Sequence, residues 1–64
     1  MIGEKIAYLR HEKRWTQDDL AKAVRLSRGY IAAIEEGRIR PKIKTLALIA
    51  KCLGVELELL IKEM

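Results

Sequence analysis

The stretch TQDDLAKAVRLSRGYIAAIE, Thr16 to Glu35, restricts what this chain can fold into more than any other. Its apolar residues fall at Leu20, Ala21 and Val24, then at Leu26, then at Ile31 and Ile34. That spacing predicts two short helices, 17–24 and 28–36, broken at Arg25–Ser27 and burying one face of each against the other. Ser27 supplies a side-chain cap for the second helix. Two short helices joined by a tight turn, the second opened by serine, form a helix-turn-helix pattern. The pattern turns the outer face of the second helix, Arg28, Gly29, Ala32 and Ala33, to solvent.

The flanking segments read as support for that unit. Ile2, Ile6 and Leu9 are spaced i, i+4, i+7 and predict a first helix over about 2–13. Arg14 then falls just beyond its end, where a left-handed residue is common and an Arg costs roughly 1 kcal/mol of strain. Thr16 with Asp19 is a short variant of the capping box, and Trp15 with Leu20 fits a hydrophobic staple. Trp15 is therefore read as packing. Gly37 ends the 28–36 helix, and Pro41 keeps Arg40 out of helix. A fourth helix, 43–53, points Ile43, Leu46, Ile49, Ala50 and Leu53 inward and stops at Gly54. A last short helix, 57–62, returns Leu57, Leu60 and Ile61 to the core. The segment VELELLI also alternates like a strand, but one strand in a helical domain has nothing to pair with.

Sixty-four residues make one domain, 1–64, near the lower limit for folding without a disulfide or metal. Half are hydrophobic and none is Phe, enough for one small core but not for a core plus an enclosed active site. The formal charge of +4 is uneven: residues 1–44 carry +5 and residues 45–64 carry −1. A basic front half suits a nucleic-acid or acidic-surface partner. Cys52 and His11 each stand alone, which excludes an internal disulfide and a Cys/His metal set. Cys52 lies in an apolar stretch as core filler. No phosphate loop or catalytic spacing occurs, so no enzyme, cofactor or small-molecule ligand is expected. No apolar run approaches a membrane span, and a cytoplasmic protein is the default.

With Leu9-Arg10, Thr16-Gln17, Leu20-Ala21, Val24, Ser27, Tyr30-Ile31, Ile34-Glu35, Gly37, Pro41, Thr45-Leu46, Ile49-Ala50 and Leu53-Gly54-Val55 in place, the chain resembles the phage-repressor and Cro (XRE-like) helix-turn-helix family. The resemblance runs from Ile2 to Ile61. It implies an all-α, compact five-helix lambda-repressor-like domain that binds double-stranded DNA. Arg28, Gly29, Ala32 and Ala33 then match positions facing base edges in the major groove. Gln17 matches a phosphate contact, and Arg10 with Glu35 match a structural salt bridge. Tyr30 matches either a sugar-phosphate contact or a packing residue.

Departures from the family pattern add to this picture. Arg14 and Arg25 replace common glycines near the expected phosphate path, and Ser27 lies beside that path. Lys42 replaces a serine cap, and with Arg38, Arg40 and Lys44 it makes an acid-free cationic run between 37 and 44. That run is the expected phosphate clamp. Only Arg28 among the base-facing residues has a long polar side chain, so direct readout is thin. Leu48 and Leu59 stand where relatives often carry charge, and imply either half-burial within one chain or a homodimer through the last two helices. The expected function is a small transcriptional regulator, a repressor, acting as a dimer on a pseudo-palindrome. The alternative is a protein-interaction module on the same fold, of adaptor, antitoxin or coactivator type.

Overall fold

A computed structural model describes residues 2–62 of the chain. Five helices follow in order: α1 (Ile2–Glu12), α2 (Gln17–Val24), α3 (Arg28–Glu35), α4 (Ile43–Leu53) and α5 (Leu57–Ile61). No strand occurs among the described residues. The alternating segment is helical because Leu57 and Leu60, three residues apart, both turn to the core.

Each helix contributes at least one fully buried large side chain: Ile6, Leu20, Ile31 and Ile34, Ile49, and Leu60. Burial of such a side chain contributes about 1.5–3 kcal/mol. The pairings are α2 on α3, α1 on α3 and α5, and α4 on α2 and α5. Two expected core residues lie outside instead. Ile43 is 55% exposed and Ile61 39% exposed. Each is a terminal residue of its helix, beyond the elements that cover the helix middles.

Local signals fix the helix ends. The Thr16 hydroxyl accepts from Asp19 N–H at 3.0 Å, and Asp19 Oδ2 accepts from Thr16 N–H at 2.8 Å, the reciprocal capping box. Ser27 Oγ accepts from Tyr30 N–H at 3.0 Å and starts α3. Lys42, at the head of α4, makes no side-chain cap. Four helices end in the same turn, with a left-handed residue after each: Arg14 (φ 62°), Arg25 (φ 60°), Gly37 (φ 81°) and Gly54 (φ 77°). In each, the next residue's N–H reaches back to the carbonyl five positions earlier. Trp15 bonds Arg10 at 3.1 Å, Leu26 bonds Ala21 at 2.9 Å, Arg38 bonds Ala33 at 2.9 Å and Val55 bonds Ala50 at 3.0 Å. Glycine takes this conformation freely, whereas a side chain there costs roughly 1–2 kcal/mol.

One close approach was not signalled by the periodicity. Gly3, in the first turn of α1, is buried against the end of α3. A Cβ at this position would stand 2.7 Å from the Glu35 carbonyl oxygen and closer still to that of Ile34. Only a glycine lets α1 lie this near α3.

Candidate nucleic-acid interface

A single carboxylate ties the end of α3 to α1 and to the start of α2. Glu35 accepts from Arg10 Nε at 2.8 Å and Nη2 at 3.0 Å, and from Gln17 Nε2 at 3.0 Å. Arg10 Nη1 donates to the Trp15 carbonyl at 2.7 Å. One network therefore joins α1, the turn before α2, the first residue of α2 and the last residue of α3. The Arg10 and Glu35 side chains are only 8% and 6% exposed. Burial pushes the Glu35 carboxyl up, but the hydrogen bonds from Arg10 and Gln17 and the Arg10 charge outweigh it and hold it below its ordinary value. Glu35 in turn raises Arg10, by hydrogen bond first and against its desolvation. No buried side-chain nitrogen or oxygen among the described residues lacks a partner.

Ile31, Ala33 and Ile34 form the inner face of α3, while Arg28 and Gly29 are exposed and Ala32 is half-exposed. Ala33 is thus a correction to the expected base-facing set. It is 3% exposed, and its carbonyl receives the N–H groups of Arg38 at 2.9 Å and Ile39 at 3.3 Å as the chain turns back over it. Tyr30 is half-buried and packs against the core, which favours its packing role. Trp15 also packs on the core, with the Lys13 ammonium 4.9 Å from its ring centroid. Cys52 is half-buried there as well, its thiol 3.5 Å from the Ala23 carbonyl.

Gln17 is half-buried and its amide is oriented by Glu35, which leaves its second N–H available. The exposed cations divide into two groups. Lys22 pairs with Asp18 at 3.3 Å, and Arg38 pairs with Glu36 at 2.9 Å. Among the described residues, no carboxylate pairs with Arg14, Arg25, Arg28, Arg40, Lys42 or Lys44. The pairing of Arg38 shows what the reading of residues 37–44 missed. Glu36 lies just outside that run yet supplies a carboxylate to it. Continuing the i, i+3, i+7 series from Gly29 through Ala32 reaches Glu36, so its place at the edge of the outer face was available in the spacing.

Leu48 and Leu59 are 41% and 49% exposed. Leu59 lines an open apolar groove between α5 and α1 with Tyr8 and Leu9, rimmed by Glu4 and Lys5. No group of His, Cys, Asp and Glu among the described residues is placed to hold a metal ion. No helix among them is long and apolar enough to cross a membrane.

A helix-turn-helix family profile matches residues 6–60. The immunity repressor protein of Bacillus phage phi105 is 37% identical over 62 residues, covering 97% of this chain and 43% of the repressor. An uncharacterized HTH-type transcriptional regulator of Methanocaldococcus jannaschii is 44% identical over 57 residues, covering 89% of this chain and 86% of that protein. Among solved structures, the SinR protein/SinI protein complex contains a chain that superposes with a TM-score of 0.92 at 30% identity, covering 98% of this chain and 62% of that one. The chain belongs to the helix-turn-helix family. It spans less than half the length of the phage repressor it matches.

Proposed function

We propose that this domain binds duplex DNA sequence-specifically as a small transcriptional repressor, in homodimeric form, with α3 in the major groove. The observation that carries the reading is the set of bare cations around α3. Arg28 opens that helix, and Arg40, Lys42 and Lys44 follow it with no carboxylate partner among the described residues. Such charges contribute little within the fold, whereas each phosphate contact releases condensed counterions. Lys42 and Lys44 sit at the head of α4, where a cation opposes the helix dipole and a phosphate would offset both.

Arg28 takes a guanine through O6 and N7, worth roughly 1–3 kcal/mol of discrimination. Gly29 admits the backbone close to the bases, and Ala32 meets a thymine methyl. Gln17 and Ser27 hold the sugar-phosphate backbone beside the 40–44 clamp, while Tyr30 packs on the core and Arg38 is held by Glu36. With one long reading side chain per subunit, DNA shape supplies much of the preference. The second copy docks through α4 and α5 around Leu48 and Leu59. Their exposure, 41% and 49%, leaves a large apolar side chain on the surface of each of those helices.

Selection of duplex sites from a random pool, with sedimentation of the free protein, tests this reading. The expected result is a pseudo-palindrome with half-sites about one helical turn apart, and a dimer. Arg28→Ala should flatten the preference, and Arg40→Ala should weaken all sequences alike. Leu59→Lys should give a monomer. Failure to enrich any site, together with stoichiometric capture of a protein partner, would overturn it in favour of an interaction module.

A further inference from the structure

We infer that Arg14 and Arg25 are phosphate-contacting residues, retained at left-handed backbone positions because their charge is needed on the DNA. The inference rests on the duplex-binding reading above and adds two contacts to it. The chain provides its own control. It makes the same helix-ending turn after α1, α2, α3 and α4, and at the last two it uses Gly37 and Gly54. At the first two, at φ 62° and 60°, it carries arginine, in a region that side chains seldom adopt. These two turns bracket α2: Arg14 lies two residues before its Thr16 cap, and Arg25 lies in the turn that leads to Ser27 and α3.

Nothing in the fold accounts for the two side chains. Both are exposed, and neither has a hydrogen-bond, ion-pair or ring partner among the described residues. Their backbone N–H groups make the turn bonds, Arg14 to the His11 carbonyl at 2.9 Å and Arg25 to the Lys22 carbonyl at 3.3 Å. Any residue but proline would make those bonds, and glycine would make them without strain. A cation does gain from the C-terminal end of a helix dipole. That gain was equally open after α3 and α4, where glycine stands. What separates the two pairs of turns is their place: the arginines stand at the two ends of α2, whereas the glycines follow α3 and α4. The eight residues of α2 span roughly 12 Å at 1.5 Å per residue, well beyond the rise of about 3.4 Å per nucleotide. The two arginines therefore reach different phosphates.

The test uses Arg14→Gly, Arg25→Gly, the double variant and Arg25→Lys in the full chain. Denaturant unfolding is read beside duplex affinity at several salt concentrations. Each glycine variant should be more stable, with a few-fold larger folding equilibrium constant, yet bind every duplex more weakly. The slope of log K against log salt should shrink by about 0.9 for each arginine removed, and by about twice that in the double variant. Arg25→Lys should keep the slope and the strain together. Unchanged slopes in the glycine variants of a DNA-binding parent, or a loss of stability on glycine substitution, overturn the inference. A parent that binds no duplex overturns the duplex-binding reading itself.

Discussion

Arg10 and Glu35, twenty-five positions apart, meet as a two-pronged ion pair with Nε–Oε2 at 2.8 Å and Nη2–Oε1 at 3.0 Å. The pair is nearly closed to solvent, so its two halves are not equivalent to surface charges. Replacing Arg10 by Met would leave a buried carboxylate held only by Gln17. Such a loss costs about 3–5 kcal/mol, against a total stability of about 5–15 kcal/mol for a domain. Arg10→Met should therefore be largely unfolded or lose well over 10 °C in Tm. The double variant Arg10→Met with Glu35→Leu should recover much of that loss, because neither charge is then stranded. Circular dichroism melts of the two variants decide the matter; similar losses in both would mean that shape, not the stranded charge, matters here.

The same pair sets an acid limit. The Glu35 carboxyl lies below its ordinary value near 4.5, so the unfolded chain binds its proton more tightly than the folded one. Its contribution to stability is complete above the ordinary value and is lost as pH falls through the folded value. Asp19 acts in the same direction, held down by the Thr16 backbone N–H and then the Thr16 side chain. Stability measured by denaturant from pH 6 to pH 3 should fall, and the fall should be shallower in Glu35→Gln. An acid limb of unchanged steepness in that variant would assign the loss to other carboxylates.

Gly3→Ala is the smallest substitution expected to move α3. The added methyl would meet the backbone carbonyls of Ile34 and Glu35, which have no rotamer through which to yield. Inside a helix an alanine is ordinarily better than glycine by about 0.5–1 kcal/mol, and in the first turn the preference keeps the same sign. Here the sign should reverse, with a loss of about 1–3 kcal/mol as α1 is pushed from α3. A Gly3→Ala variant as stable as the parent would show that α1 can shift at no cost.

The helices, their caps and the left-handed Arg14 were legible in the sequence because each rests on near neighbours, whereas Arg25 stood out only against the family's glycine. Thr16 and Asp19 sit three positions apart, and helical spacing alone places Leu20, Val24, Ile31 and Ile34 inside. The Arg10–Glu35 pair came only from family resemblance, since no local pattern links residues in different helices. Gly3 was illegible for the same reason: its constraint is a carbonyl of α3. Ala33 went astray because an alanine fits either face of a helix, and the returning chain at Arg38 and Ile39 covers it. Ile43 and Ile61 followed the stripe but lie at helix ends, where the spacing persists after the packing has stopped.

Glu36 limits how tightly the outer face of α3 can hold a polyanion. Its carboxylate is exposed and takes both Arg38 Nε and Nη2 at 2.9 Å on one oxygen. An exposed pair of this kind is worth at most about 1 kcal/mol to the fold. Beside DNA it acts twice against binding, by occupying Arg38 and by repelling phosphate. Glu36→Gln should therefore leave stability within about 0.5 kcal/mol of the parent and raise affinity for all duplexes alike. With Arg38 released to a phosphate, the salt slope should steepen by about 0.9. Titration of selected and scrambled duplexes at two salt concentrations separates this from a second possibility. A glutamate can also accept from the cytosine amino group and so read a base. A variant that loses affinity for the selected duplex while gaining none for the scrambled one would assign Glu36 that reading role instead.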